Sequence, residues 1–473
     1  MTDYAPGLDH CFFFDATEDS YLVDDIEGML PEDLRGVYYA NGPSRFERAG
    51  QRYLHWLDGD GLIHRLSFAD EGVRHTTRFV DSLKSREESK AGRFLYRAFG
   101  TGFDGDLLRR NVMLESPVNV SVYPFDGKLL AFGEQTLPVE LDPETLEAKD
   151  DFDFGGRLNE ISPVSAHPKI DPDTGQLIVF GIAFSSRPTL YTYEFDPSDQ
   201  SLRRRRHRME THYSLHDFNL SPGYMIFHLG PLILDIERFL GQGNSIMDSL
   251  DWRPEMGSKL LIVPRGPDSG DPFEVEVEPK YCLHHINAFE QHGRLIVDLI
   301  EIDEPIYRHY QVLPELFVDA PAASPVRYAI DLASKKVVER IAFDYDRCPD
   351  FPTVTAADNG RNYDRFWMLG MSHCGPQGRK FFDEVVGLSW SDRARVDLYR
   401  PDEGRLLGGQ PACVERPGKE PLIIVQELDP ENRKAWYVVL DGLNLERGPL
   451  ARIPLRHWIH PSFHTHFEPA STL

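Results

Sequence analysis

Eighteen histidines are scattered over 473 residues, and four of them stand in related surroundings. His167 in SAHPKIDPDTGQLIVFG, His216 in YSLHDFNLSPGYMIF and His284 in YCLHHINAFE each precede a turn and an apolar run, and His464 lies in HPSFHTHFEP near the C-terminus. A single histidine beside a strand is ordinarily a structural residue. Recurrence of the same context raises a different question. The first three lie 49 and 68 residues apart, too far for one local finger and about the length of one repeating β unit each. Neutral imidazoles from successive units, meeting at one point, would hold a divalent metal of the borderline class such as iron, zinc or copper.

Such a meeting needs a fold that aims equivalent strands at one axis. The chain offers many strands for it. KLLAFGE, QLIVFGIAF, YMIFHLG, KLLIVPR, RLIVDLIEI, PLIIVQEL and AWYVVLDG are short apolar runs bounded by turn sequences such as PFDGK, DPDTGQ and EQHGR, the pattern of β-strands. Helical pattern is sparse. Asp81 to Phe99 has partly helical spacing, and DIERFLGQG and YRHYQVLPELF read as short helices in long connections. Many strands, few helices and regular turns predict an all-β closed or radial fold. Seven blades of four strands would use ~28 strands at about 17 residues each, which suits this length. No sharp blade motif separates a propeller from a large sandwich on pattern alone.

Bulk properties remove other classes. The net charge of -25 leaves no basic excess to neutralise nucleic-acid phosphate. The one basic run, Arg203 to Arg208, reads as a solvated hairpin tip. Five cysteines with no CxxC pair make neither a disulfide framework nor a zinc or iron–sulfur site, and point to a reducing cytoplasm. The N-terminus lacks a signal-peptide pattern. The longest run without Asp, Glu, Lys or Arg, Phe218 to Leu234, is short and broken by Gly and Pro, so no spanning helix is expected. Gly223 to Gly243 is apolar enough either to dip into a bilayer surface or to form a buried strand and connection. No linker or composition step divides residues 1–473, which read as a single domain.

Six blocks, in order, resemble the carotenoid cleavage oxygenases, non-haem iron enzymes that split alkene bonds in carotenoids, apocarotenoids and stilbenes. They are YYANGPSRF with HWLDGDGLIHRLSF, LLAFGEQTLPVELDPETLE, SAHPKIDPDTGQLIVFG, HDFNLSPGYMIF, HHINAFE and FHTHF. The resemblance implies a seven-bladed β-propeller with a cap of loops and short helices over an axial metal site. It implies one Fe(2+) per chain on His167, His216, His284 and His464, choosing His284 over His285, and His464 over His460 and His466. It implies cleavage of a C=C bond by dioxygen to two carbonyl products. Four neutral ligands leave coordination positions free and bring no charge of their own, so acceptors behind the rings must fix tautomer and orientation. In the family three glutamates serve. Glu134 matches the first, Asp350 stands where the second is usual, and Gln410 where the third is usual. Thr465 replaces the usual glycine after the fourth histidine.

An apolar tunnel for a polyene would be lined by aromatics and aliphatics. The candidates for lining it are Phe94, Tyr96, Phe99, Phe103, Phe289, Trp367 and Met371, and those expected to touch substrate are Phe94, Tyr96, Val118, Phe289 and Trp367. Val118 resembles the family position beside the free coordination sites. Stilbene-cleaving members carry a lysine just after the first glutamate, whereas this chain has Gln135, which tilts the substrate toward a carotenoid or apocarotenoid. Two alternatives use the same fold: an isomerase–hydrolase on retinoid-type esters with iron as a Lewis acid, and a non-catalytic binder of apocarotenoid or lipid. The partners expected are a hydrophobic small molecule and O₂. Nothing calls for an obligate protein partner. A cytoplasmic location is expected, with membrane contact, if any, hydrophobic rather than electrostatic.

Overall fold

A computed structural model describes residues 3–111, 113–185, 187–266, 269–306, 312–345 and 347–470. Among these residues the strands form seven antiparallel sheets of four or five strands and two small two-stranded ribbons. The sheets are the blades of a seven-bladed β-propeller, as expected, and the sandwich alternative is excluded. In blades two to six the chain starts at an innermost strand and proceeds outward. These innermost strands are Ser121–Phe125, Lys169–Ile170, Asn219–Leu220, His285–Gln291 and Asp350–Thr353. Blade seven starts with Leu406–Val414. The innermost strand of blade one is the C-terminal Thr465–Pro469, paired with Gly36–Ser44.

The ring is closed at two places. Ala40 pairs with Thr465 in blade one, and Glu27–Gly28 pairs with Ala451–Pro454 at the outer edge of blade seven. Segments near both ends of the chain are therefore woven into the first and last blades, which ties the seam of the ring together. Side chains pack between adjacent blades. Ile178 and Phe180 of blade three meet Phe218 and Phe227 of blade four, with the Phe180 and Phe218 rings 5.5 Å apart.

The apolar runs singled out in the sequence all lie on strands, for example Leu177–Ala183, Arg294–Ile302 and Leu422–Asp429. The Asp81 to Phe99 stretch yields a nine-residue helix, Leu83–Ala91, capped by Ser82, whose hydroxyl accepts the Ser85 N–H, and ended by Gly92 at φ 64°. DIERFLGQG gives a single π-type turn, Glu237–Gly241. Of the expected helix at YRHYQVLPELF, residues 307–311 lie outside the described residues, and 312–317 form turns and bends rather than a helix.

One expectation is corrected and one open alternative is decided. The basic run is not a hairpin tip but the edge strand of blade three, Ser201–Arg208, with Arg203 and Arg205 facing Glu194 across the ladder. Cross-strand charge pairing stabilises the run as a strand. Of the two readings of Gly223 to Gly243, the structure shows the buried strand and connection: Met225, Ile226, Phe227, Leu229, Leu232 and Ile233 are buried on or beside the strands Tyr224–Leu229 and Leu232–Leu234. No helix among the described residues is long and apolar enough to cross a membrane.

Trp367 lies on the second strand of blade six, is 1% exposed, and donates its indole N–H to the Gly442 carbonyl at 2.8 Å. Trp367→Ala is therefore expected to lower unfolding free energy by about 3–5 kcal/mol, measured by denaturant titration. Unchanged stability would contradict this placement.

Candidate metal centre

Each of the four histidines sits just before the innermost strand of its blade. His167 precedes Lys169–Ile170, His216 precedes Asn219–Leu220, His284 abuts His285–Gln291, and His464 abuts Thr465–Pro469. The turn after His167 is fixed by Asp171, whose carboxylate accepts the N–H groups of Asp173 and Thr174, an Asx turn. His464 is held through its backbone, its N–H donating to the Val120 carbonyl and its carbonyl accepting the Asn41 N–H. Four strand starts from four blades thus deliver four side chains to the axis.

One ring nitrogen of each of His167, His216, His284 and His464 lies within 4.8 Å of those of the other three. His167 Nε2 and His216 Nε2 are 2.9 Å apart. The buried Nε2 of His284 has no hydrogen-bond partner. An orphaned, buried imidazole nitrogen is costly unless something occupies the space before it, and a divalent metal accepted by all four rings fits this donor set.

Behind the rings stand the acceptors. His216 Nδ1 is 2.8 Å from Glu134 Oε1, His284 Nδ1 is 2.5 Å from Asp350 Oδ1, and His464 Nδ1 is 3.3 Å from Gln410 Oε1. Each acceptor holds the proton on Nδ1 and leaves the Nε2 lone pair for the axis. Gln410 also donates Nε2–H to the Pro352 carbonyl at 2.5 Å, which a carboxylate could not do. Burial, reinforced by the neighbouring imidazoles, drives the His167 and His464 pKa values well below the usual histidine range. Burial also opposes charge on His216, but the Glu134 carboxylate outweighs it and raises that pKa.

Irregular strands aim these groups. The ladder register shifts between Asp350 and Thr353, between Gly408 and Ala412, and between His285 and Asn287. Phe351 adopts φ 53° and Gly409 φ 73°. Such bulges turn a side chain out of the regular alternation, and two of the three acceptors lie in them. Glu134 depends on the preceding glycine: a Cβ on Gly133 would stand 2.1 Å from Ser116 Oγ and 2.7 Å from Val118 Cα.

The fourth ring has a partner that sequence reasoning missed. Asp217, next to His216 in the chain, presents Oδ1 3.7 Å from His167 Nδ1. The same oxygen is 3.0 Å from Lys169 Nζ, and the carboxylate accepts the N–H groups of Phe218 and His285. Burial works against its ionisation, but Lys169 and the nearby imidazoles hold its pKa well below the usual carboxylate range. The HD dipeptide was the only signal, and it did not reveal that the acid faces a neighbouring blade's histidine.

A largely apolar cavity adjoins the centre, walled by Leu57, Phe99, Val120, Ile182, Phe184 and Leu234 and reaching His216 and Glu134. A smaller one, lined by Trp56, Val120, Phe351 and Phe463, touches His216, His284 and His464. Four expected substrate contacts are absent from these walls. Phe94 stacks on Tyr53 at 3.8 Å, Tyr96 is buried with its hydroxyl on Glu87, and Phe289 and Trp367 pack in blade cores. Val118 is absent as well: its φ of 52° turns its side chain into the cluster with Ile63 and Leu129 and leaves Val120, two residues on, to line both cavities. Phe99 does line the larger cavity. Sequence reasoning also missed Glu115, a buried acid in the same wall.

Comparisons with known proteins agree with this geometry. The family model described as retinal pigment epithelial membrane protein (RPE65) matches residues 13–469. Apocarotenoid-15,15'-oxygenase of Synechocystis is 29% identical over 94% of this chain and 92% of its own. Isoeugenol monooxygenase of Pseudomonas nitroreducens is 25% identical over 93% of each chain. The structure of a cobalt-substituted Synechocystis apocarotenoid oxygenase superposes with a TM-score of 0.87 at 27% identity, covering 99% of this chain and 100% of that one.

Removing the carboxylate behind one ring tests the role of the acceptors. Glu134→Gln is expected to weaken metal binding about 10–100-fold, read by metal titration of stripped protein, with the unfolding midpoint of the metal-free chain unchanged. An unaltered affinity would mean that Glu134 does not tune its histidine. With the family model spanning nearly the whole chain and the solved relative superposing throughout, the chain belongs to the RPE65/carotenoid oxygenase family.

Proposed function

We propose that this chain is an iron(II) dioxygenase that cleaves a C=C bond of an apocarotenoid-type substrate to two carbonyl products, with residues 1–473 acting as one domain. The observation that carries the reading is the set of four converging imidazoles, one with an orphaned buried nitrogen, opening on an apolar cavity. His167, His216, His284 and His464 would hold the metal. Ferrous iron there supplies the binding and activation of dioxygen.

The chain's own groups account for the rest. Glu134, Asp350 and Gln410 retain the Nδ1 protons and keep three rings oriented. Val120, apolar and beside both cavities, keeps water from crowding the free side of the centre. Leu57, Phe99, Ile182 and Leu234 bind the hydrocarbon by burial. Among the polar groups that interrupt that wall are Gln135 and Glu115. Gln135 accepts the Ile182 N–H through Oε1 at 3.3 Å, leaving Nε2 without a partner among the described residues. Glu115 stands with Oε2 2.8 Å from Arg109 Nε. A long apolar molecule with one polar end, such as an apocarotenoid aldehyde or alcohol, matches this division. A substrate apolar throughout would leave Gln135 Nε2 without a partner.

Burial, helped by the Asp151 and Glu87 charges and opposed by Arg109, pushes the Glu115 carboxyl up to about 7. Because the folded-state pKa is raised, the neutral acid prevails below about 7, and charge appears in the cavity wall as pH rises through it. Charging that wall disfavours an uncharged polyene. kcat/KM is therefore expected to fall as pH rises through about 7, and Glu115→Gln is expected to flatten that limb. An unchanged profile in the variant would remove Glu115 from substrate binding.

Aerobic incubation with carotenoids, apocarotenals, stilbenes and retinyl esters under ¹⁸O₂, with products read by mass, tests the reaction itself. Labelled aldehydes from apocarotenals are expected. Ester hydrolysis without label, or no product from iron-replete protein, would contradict the proposal.

A further inference from the structure

The four imidazoles stand between two unlike spaces. On the side from which the innermost strands start, the two cavities are walled mainly by hydrocarbon. On the other side a funnel of about 390 Å³ follows the innermost strands down the axis and reaches His167, His284 and His464. Its walls mix apolar and polar side chains and are more polar than those of the two cavities, the polar groups including Lys169, Asp217, His285, Thr353, Gln410 and Thr465. That size gives room for several waters.

A divalent cation sheds its water only where other polar groups replace it, and the hydrocarbon side offers few of these. At the neck of the funnel, beside His167, stands the Asp217 carboxylate, already paired with Lys169 at 3.0 Å. The Lys169 ammonium also lies 5.7 Å from the centre of the Phe218 ring, and its side chain is 22% exposed. It is held at the neck without being sealed in. His285, in the same wall, has a buried Nδ1 with no partner.

We propose that this funnel is the path by which the metal enters and leaves the tetrad, with Asp217 as the carboxylate that first captures the cation and Lys169 as the group that holds it shut. The proposal rests on the metal-centre reading above. While Lys169 is paired, its ammonium cancels the Asp217 charge and stands in the way, so the neck offers an approaching cation no net attraction. When the lysine swings outward, a carboxylate is exposed one step from the first imidazole. The arrangement separates traffic: metal and water pass on the polar side, hydrocarbon substrate on the apolar side.

The test uses the full chain, stripped of metal and mixed anaerobically with ferrous ion, then challenged after loading with excess ferrozine, a coloured ferrous chelator. Ala356, exposed and in the funnel wall, marks its outer end. Ala356→Trp is expected to slow both loading and release about tenfold, and Lys169→Met to speed loading about tenfold. Thr355→Trp, at the adjacent wall position, is a second plug and is expected to repeat the slowing. His212→Trp, in the apolar cavity, is expected to leave both rates unchanged. Stoichiometry in the plugged variants is expected to match that of the wild type. Wild-type exchange rates in both plugged variants would overturn the route, as would slowing confined to His212→Trp, and an unaltered rate in Lys169→Met would overturn the gate. A wild-type chain that takes up no metal would instead sink the metal centre, and the route with it.

Discussion

An imidazole can direct a lone pair at a metal only if its other nitrogen carries the proton and something holds that proton in place. The rest of this structure answers to that requirement. Glu134, Asp350 and Gln410 face the Nδ1 atoms of His216, His284 and His464, and the innermost strands are bent to bring them there. The register shifts at Asp350 and near Gln410 interrupt otherwise regular ladders. Regular alternation would not aim those side chains as the bulges do. The glycine before Glu134 is excluded from having a side chain by the approach of residues 116–118. Backbone regularity is given up where ring orientation demands it.

The propeller supplies the other half of the requirement. Four strand starts can meet only if blades are arranged around an axis and the ring does not open. Closure by the C-terminal strand places His464 directly before that strand. The seam and the metal site are therefore coupled, so that loosening the last strand would move a ligand. Interblade aromatic contacts such as Phe180 with Phe218 brace the blades that carry His167 and His216.

Much of this was legible in the sequence because it is local. A histidine, a short strand, a turn and an apolar run recur within about twenty residues, and periodicity with turn chemistry finds such units. The family resemblance then separated His284 from His285, and the structure points His284, not its neighbour, to the common centre. What was not legible is what depends on backbone twist or on contact between blades. Val118 and Val120 differ only in position, and the left-handed φ at Val118 decides which one faces the site. The aromatics Phe94, Phe289 and Trp367 have the right composition for a tunnel and the right composition for a core, and burial assigns them to the core. Asp217 adjoins one histidine in the chain and faces another across a blade boundary. The arginine run shows no pattern of its own that distinguishes an edge strand from a loop, and its Glu194 partner lies on the preceding strand.

The substitutions at Asp350 and Gln410 keep the acceptor while changing its reach or charge. Asp350 reaches His284 at 2.5 Å because Phe351 turns the strand, and Gln410 answers both His464 and the Pro352 carbonyl. The central claim is that four rings share one metal. Anomalous diffraction at the iron edge from crystals of iron-loaded protein tests it most directly. The account predicts one peak per chain, enclosed by Nε2 of His167, His216, His284 and His464. A peak elsewhere, or several weak ones on surface carboxylates with none among the four rings, would contradict it.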